Sequence, residues 1–372
     1  MKRVLFVART RYSLPLDPSL ARKWNALGER LHVRVLAAAA PGSSRSDGTF
    51  VLAPPLGPKA LDGVLYYLTL PWRLRRELRR FRPDAVVAQS PYEGAAVLLA
   101  RQLAGSRAKL VLDVHGDWRT FTRLYGSSWR RLLDPGADRL AAEVVRRADA
   151  VRTVSGYTTG LVRELGREPD GVFPAYMDLR SFLEKAPAPL PERPQALFVG
   201  VLERYKNVDG LAAAWRLAAP RVPTAKLLLV GTGTMSDVAR RLVAALPEQT
   251  DWVRQLSSPE VAAALDESTL LVLPSRSEGM GRVVVEALAR GRPVLGARVG
   301  GIPDLIEDGV SGVLVPPNDT GALADALVAL LGDRSRVAAL AARARDSAVP
   351  WILSPEEFAA RQAELVERVT AS

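Results

Sequence analysis

Two glutamates eight residues apart, Glu278 and Glu286, bracket a glycine-rich turn in the segment LLVLPSRSEGMGRVVVEALARGRPVLGARVGGIP, residues 270–303. The pattern predicts a buried strand ending at Pro274 and a helix that begins near Arg282 and carries Glu286 one turn in. The backbone amides of Gly279, Met280 and Gly281 and the helix N-terminus would then point at whatever lies above the strand end. Such amides bind phosphate or sugar oxygens. Arg282 in the first turn opposes the helix dipole but is well placed for an anion. A carboxylate at Glu286 can accept two hydrogen bonds from vicinal hydroxyls, as on a ribose. A bare strand–loop–helix also occurs with no ligand at all, so the segment alone leaves both readings open.

Three further stretches bear chemistry. GVLERYKN, residues 200–207, follows a predicted strand and places Arg204 and Lys206 at its carboxyl end, where parallel sheets bind ligands; the alternative is two solvated loop cations. LLLVGTGT, residues 227–234, resembles a dinucleotide fingerprint but lacks the third glycine, and after the first strand no glycine occurs until Gly28, which excludes a nicotinamide dehydrogenase of the usual pattern. KLVLDVHGDW, residues 109–118, sets His115 just past a strand end beside Asp113 and Asp117, a placement that suits a ligand or catalytic contact as well as a structural one. The chain has two histidines, His32 and His115, and no cysteine, so a disulfide framework, a thiolate metal site, a cysteine nucleophile and a His-rich metal site are all excluded.

These residues need elements to hold them. Apolar runs read as strands at Val4–Ala8, Val33–Ala38, Ala85–Ala88, Lys109–Val114, Ala150–Val154 and Gly171–Phe173, then at Ala196–Val199, Lys226–Val230, Leu270–Leu273, Pro293–Gly296 and Gly312–Val315. Helix-period stretches lie between them, among them Asp138–Arg147, Val208–Leu217, Val238–Leu246, Val283–Ala289 and Ala322–Leu331. Alternation of this kind implies βαβ units and parallel sheets. Eleven strands are too many for one simple doubly wound sheet, and 372 residues suit two domains. The fold class is therefore α/β with two Rossmann-like domains. The seam is read at 181–195, where Pro187, Pro189, Pro191 and Pro194 predict a semi-rigid linker. Residues 1–180 form the first domain and 196–349 the second. The tail, 350–372, ends in a helix with Phe358, Leu365, Val366 and Val369 on one face.

Charge is unevenly spread. Residues 1–185 carry 31 Lys/Arg against 18 Asp/Glu, whereas residues 186–372 carry 20 against 22. A positive first half favours an anionic partner, and an arginine-rich solvated surface gives the same count. In LPWRLRRELRRFR, residues 70–82, Leu70, Leu74, Leu78 and Phe81 form a stripe among six arginines. It reads either as a basic amphipathic helix lying on an anionic membrane, with Trp72 at the interface, or as a packed helix. No uncharged apolar run reaches the length of a membrane span, and Val4–Ala8 is too short for a signal peptide core. No aromatic–basic interleaving of an RNA-recognition strand occurs, so nucleic acid is not an expected partner.

Together, the residues resemble the retaining GT-B glycosyltransferases of family 4. The resemblance rests on the E-x7-E pair in SEGMGRVVVEALARGRPV and on GARVGGIPDLIEDGVSGVLVPPND, residues 296–319, with GVLERYKN, GTGT and TVSGYTTGLVRELG in the right order. It is strong over 196–330 and weak over 1–108. It implies two Rossmann-like domains facing across a cleft, with a C-terminal helix crossing back to the first. It implies a nucleoside diphosphate sugar bound by the second domain and a hydroxyl acceptor by the first. Glu286 would hold the ribose. Glu278 would contact sugar hydroxyls, with Gly279, Met280 and Gly281 near sugar and diphosphate. Lys206 would neutralise the leaving diphosphate, and His115 would reach the donor sugar. No cofactor and no metal are implied, fixed cations taking the metal's part.

The sequence departs from the family at three places. Val201 stands where an arginine is usual, and Arg204 is the candidate to compensate. ARTRYSLP replaces a Gly-Gly loop after the first strand, putting Arg9 and Arg11 there; with Asp117 these are the acceptor-side candidates. Ala175-Tyr176-Met177 replaces an Asn-Gly after the inter-domain strand. The expected activity is hexosyl transfer in the cytoplasm, with peripheral attachment to the inner membrane face if the acceptor is lipid-linked or otherwise anionic. The alternatives are a small-molecule acceptor, as in natural-product glycosylation, a nucleotide-sugar epimerase, and a non-catalytic binder.

Overall fold

The computed structural model describes residues 1–55, 59–119 and 134–371. Contacts divide the chain into two compact units, Met1–Tyr176 with Leu353–Ser372, and Met177–Ile352.

Each unit is built on an all-parallel sheet. The first has seven strands in the order β3-β2-β1-β4-β5-β6-β7, with β1 at Arg3–Tyr12, β2 at His32–Ala39, β3 at Phe50–Ala53, β4 at Ala85–Ala88, β5 at Lys109–Val114, β6 at Ala150–Thr153 and β7 at Gly171–Val172. Parallel strands are covered on both faces, which is why they read as continuous apolar runs. On β1, Leu5 and Val7 enter one core cluster and Val4 and Phe6 the other. The Pro355–Ala371 helix closes the second face, where Phe358, Ala359, Leu365 and Val366 join Val4, Phe6 and Trp24. The C-terminal helix thus packs within the first unit.

The second sheet has six strands in the order β10-β9-β8-β11-β12-β13: β8 Gln195–Val199, β9 Lys226–Val230, β10 Thr250–Val253, β11 Leu270–Leu273, β12 Val294–Ala297 and β13 Gly312–Val315. Both sheets reverse strand order once, between β1 and β4 and between β8 and β11. In open α/β sheets, ligands bind in the crevice above the strand ends at such a reversal.

Several elements differ from the sequence reading. β1 runs on to Tyr12 instead of stopping at Ala8, because pairing resumes after a register shift, with Arg11 opposite Ala38 and Tyr12 opposite Ala39. β3 and β10 were not legible as strands. Both are four-residue edge strands, and Asp251 interrupts the apolar run of β10. In the Lys59–Phe81 helix, Leu70, Leu74, Leu78 and Phe81 are 0–4% exposed and lie in the sheet-facing core, so this stripe is the packed face of the helix and not a membrane face. Glu77 on the same helix is buried and paired with Arg34 at 3.0 Å.

The proline-rich stretch 181–195 is fastened to the second unit. Prolines supply no N–H, so the carbonyls around them need donors from elsewhere. Two buried arginines provide these. Arg290 grips the Asp266 carboxylate and donates to the carbonyls of Lys185 (2.8 Å) and Ala186 (3.1 Å). Arg292 donates to the carbonyls of Ala188, Pro189, Leu265 and Asp266 at 2.8–3.1 Å. The chain passes between the compact units at Tyr176/Met177, ahead of the stretch read as the linker.

Removing the Arg290 side chain leaves the Asp266 carboxylate and several carbonyls without their donor. Arg290→Ala is expected to cost about 3 kcal/mol, the lower end for breaking a buried pair because solvent reaches part of Asp266. Urea denaturation checks this against Arg221→Ala, which removes an exposed pair with Asp325 and should cost under about 1 kcal/mol.

Candidate active site

In the second unit, side chains from both sides of the strand reversal meet. From β8 the chain turns through residues 200–203 into a short 3-10 helix, Arg204–Lys206. From β11 it runs through residues 274–281 into the Arg282–Ala289 helix. Lys206 and Glu278 form an ion pair between these loops, with side chains only 10% and 14% exposed. The Ser275 hydroxyl donates to the same carboxylate oxygen at 3.3 Å. The predicted Lys206 and Glu278 are therefore together, and each is the other's partner.

The loops owe their paths to glycine. Gly300 has φ +54°, and a Cβ there would lie 1.9 Å from the Glu278 carbonyl oxygen; at Gly301 it would lie 2.1 Å from that of Gly279. The Gly301 amide donates to the Glu278 carbonyl at 3.1 Å. Only a residue without a side chain permits this approach, so Gly300-Gly301 acts as the backing of the Glu278–Gly279 loop. On the other side, a Cβ on Gly231 would lie 1.9 Å from the Gly200 carbonyl oxygen, which fixes the loop after β9 against the loop after β8.

Gly281 adopts φ +72° at the N-cap of the Arg282–Ala289 helix and provides no side-chain cap. The amides of Arg282 and Val283 thus have no side-chain cap, as an anion site requires, while that of Val284 donates to the Gly281 carbonyl at 2.8 Å. Met280 is buried behind the turn. Glu286 is 7% exposed, and burial pushes its carboxyl above the ordinary range, opposed by Arg282, whose Nε lies 2.7 Å away. Arg282 was read as a cation for a ligand anion. In the structure it meets Glu286: the i,i+4 spacing brings the two side chains together, and Arg282, its side chain 54% exposed, orients and offsets the carboxylate. Arg204 is exposed at the loop edge, as is Val201.

Arg276 was missed by the sequence reading. It binds Asp209 with two nitrogens at 2.9 Å each, the Arg204 carbonyl at 2.7 Å and Asn318 at 3.0 Å, and its amide donates to the Tyr205 carbonyl at 2.6 Å. It locks the Arg204–Lys206 turn to the loop after β11. Nothing in its local sequence signals this, because its partners lie 42–72 residues away.

In the first unit, a second cluster stands at the carboxyl ends of β5 and β6. Asp113 is buried and accepts from Arg152 Nη1 at 3.0 Å; Arg152, 0% exposed, also donates to the carbonyls of Phe173 and Pro174. Burial alone would raise the Asp113 carboxyl, but Arg152, His115 and Lys23 outweigh it and hold it below the usual range. His115 Nε2 lies 3.7 Å from the Asp113 carboxylate, and its side chain is 37% exposed. Desolvation brings the Lys23 ammonium down to about 8, with Asp113 opposing and Arg152 adding to the shift. Arg152 and Lys23 were not singled out in the sequence.

The acceptor-side candidates are partly engaged. Arg11 is paired with Asp62 at 2.8 Å, and Asp117 accepts from Arg119 at 2.9 Å and from the Tyr157 hydroxyl at 3.2 Å. Arg9 stands at the β1/β4 reversal, its amide on the buried Glu93 at 3.2 Å. Burial raises the Glu93 carboxyl, and the hydrogen bonds it receives from Ser90, Tyr67 and the Arg9 amide do not offset this.

Known proteins resemble the chain in both halves. Residues 18–175 match the model of the glycosyl transferase 4-like domain, and residues 193–333 that of glycosyl transferases group 1. N-acetyl-α-D-glucosaminyl L-malate synthase of Bacillus anthracis is 30% identical over 258 residues, covering 67% of this chain and 65% of that protein. The sucrose-phosphate synthase structure from Thermosynechococcus elongatus superposes with TM-score 0.80 at 20% identity over the whole of both chains. Anabaena Alr3699/HepE, solved in complex with UDP-glucose, superposes with TM-score 0.72 at 17% identity, also over both whole chains.

The glycine contacts make a direct test. Gly300→Ala must push away the backbone that carries Glu278 in addition to bearing the left-handed backbone cost, and is expected to lower stability by about 3 kcal/mol or more in urea denaturation. Gly309→Ala, at φ +79° with nothing within 4 Å of its Cβ, carries only the left-handed backbone cost of about 1–2 kcal/mol in the same denaturation.

Proposed function

Because the chain belongs to the glycosyltransferases of the GT-B type, we propose that it moves a sugar from a nucleoside diphosphate donor to a hydroxyl acceptor with retention of anomeric configuration. The observation that carries this reading is the meeting of Lys206 and Glu278 above a strand reversal, beside a helix N-terminus without a side-chain cap.

The donor lies on the second unit. Glu286 accepts the two ribose hydroxyls, and Arg282 keeps its carboxylate charged while they bind. The diphosphate takes the amides near Gly281, with Lys206 and the exposed Arg204 as its cations. As the bond from the anomeric carbon to the phosphate oxygen breaks, its electron pair leaves with the diphosphate. Fixed cations are most effective at that moment because they need no reorganisation. Lys206 is the stronger of the two, since it is already largely withdrawn from water. Glu278, held by Lys206 and Ser275, acts as a hydrogen-bond acceptor for sugar hydroxyls and not as a nucleophile. The acceptor oxygen therefore attacks from the face the diphosphate leaves, and its proton passes to the departing phosphate. His115, steadied by Asp113, is the group assigned to the reacting sugar. Arg9 at the first sheet's reversal suits an anionic or lipid-linked acceptor, because Arg11 is already neutralised by Asp62.

The relative named as an N-acetylglucosaminyl synthase and the complex with UDP-glucose make UDP-linked hexoses the first donors to test. Thermal shifts with UDP, GDP, ADP and dTDP at 100 times Kd should each add about 2.7 kcal/mol where the base fits.

The raised Glu286 carboxyl sets a pH signature. Lowering the pH protonates it and removes its acceptor pair. Donor affinity should then fall through a midpoint above the ordinary glutamate value of about 4.3. Glu286→Gln should bind donor about tenfold or more weakly near neutrality, the loss of charge-assisted hydrogen bonds, and should lack this inflection. Unchanged donor KM and kcat in Glu286→Gln would overturn the ribose assignment.

A further inference from the structure

The Lys59–Phe81 helix buries one stripe and exposes another that the sequence reading did not separate from it. Val64, Leu68 and Trp72 follow one another at i, i+4 and i+8, and are 50%, 60% and 63% exposed. Next to this helix, the Pro91–Ala104 helix exposes Leu99 and Leu103 by 45% and 43%. The two rows adjoin, because Arg75 Nε donates to the Leu103 carbonyl at 3.1 Å. Five large apolar side chains on one flank of a unit are more than scattered exposure, and such patches mark interaction surfaces.

The charge on this flank is of one sign. The apolar row continues down the helix into Arg75, Arg76 and Arg79, one and two turns beyond Trp72, with Arg80 beside them. None of these arginines has a carboxylate partner among the described residues. The helices' own acids are out of reach: Asp62, Glu77 and Glu93 are 7%, 5% and 3% exposed, and the first two are paired with Arg11 and Arg34. The two helices thus present apolar groups and cations with no exposed carboxylate of their own; Asp84, exposed in the segment that joins them, accepts from the Arg3 amide at 2.7 Å. Like charge disfavours a second copy of the same face. An indole ring stands where the apolar row gives way to arginines, the position such rings take at a lipid headgroup boundary.

We infer that this flank docks on an anionic bilayer, with Val64, Leu68 and Trp72 entering the acyl boundary and Arg76 and Arg79 on lipid phosphates. The inference deepens the proposed function by naming the surface from which a lipid-linked acceptor would be taken. The first turn of the same helix lies against the acceptor-side cations: Asp62 pairs with Arg11, and a Cβ on Gly63 would lie 2.8 Å from the Arg9 guanidinium. The apolar end of the flank is therefore the end next to Arg9.

Flotation of the full chain with phosphatidylcholine vesicles, with and without phosphatidylglycerol, tests the docking without any donor present. The parent should float with the anionic vesicles, less so in high salt. Leu68→Ser/Trp72→Ala and, separately, Arg76→Gln/Arg79→Gln should each lower the bound fraction about tenfold, with unchanged melting temperature and unchanged UDP binding, because the side chains are exposed and belong to the first unit, whereas the proposed donor site is built from the second. Absence of binding to either vesicle, as for a flank that meets an acidic protein, would overturn the inference. So would variants that float as well as the parent. If vesicles bind but no nucleotide does, the docking stands and the donor reading falls; nucleotide binding without vesicle binding gives the reverse.

Discussion

The ion pair between Lys206 and Glu278 is the contact on which the second unit's site depends. Its members come from opposite sides of a strand reversal, and both are largely out of water. A pair of that kind persists only where its geometry is fixed and its remaining lone pairs are satisfied, since each charge has given up hydration. Arg276 fixes the lysine's turn, the Gly300-Gly301 approach fixes the glutamate's loop, and Ser275 fills an acceptor position on the carboxylate. A phosphate that draws Lys206 towards itself meets an ammonium already stripped of most of its water. The exchange of one anion for another then requires little new desolvation, which suits a buried lysine to the proposed leaving diphosphate better than a solvated one.

The first unit repeats the sheet topology with different chemistry at its strand ends. Two buried carboxyls there are driven in opposite directions by their neighbours. Asp113 has a guanidinium in direct contact, and attraction overcomes burial. Glu93 has a serine, a tyrosine and an amide, whose neutral dipoles do not. The first is thus a fixed negative charge beside His115, while the second is a protonatable group beneath Arg9. Stability follows with opposite signs. The Asp113 contribution is present above its unfolded value and is lost as pH falls through the lowered one. The Glu93 contribution is present at low pH and declines as pH rises through the raised one.

Much of this was legible in the chain. The strand–loop–helix around Glu278 and Glu286 follows from an apolar run, a glycine cluster and a helical period, and both carboxylates stand where that pattern puts them. The edge strands β3 and β10 were not legible, because four residues with one covered edge leave too little apolar pattern. Neither were Arg276 and Arg152, whose meaning lies entirely in partners distant along the chain. The stripe at Leu70–Phe81 shows the limit of periodicity itself, which says that a helix has an apolar face but not which of two apolar rows the sheet will cover.

The glycine contacts behind the ligand loops have a consequence for how such a protein diversifies. At Gly231 and Gly300 the backbones touch so closely that main-chain atoms, together with the Arg276 side chain, set the loops' paths. Side chains that project from those loops, such as Val201, Arg204 and Thr232, take no part in holding the path. They are therefore free to change in descendants of this sequence without the loops having to refold. Variation is thereby concentrated in a few outward positions on a frame that resists alteration.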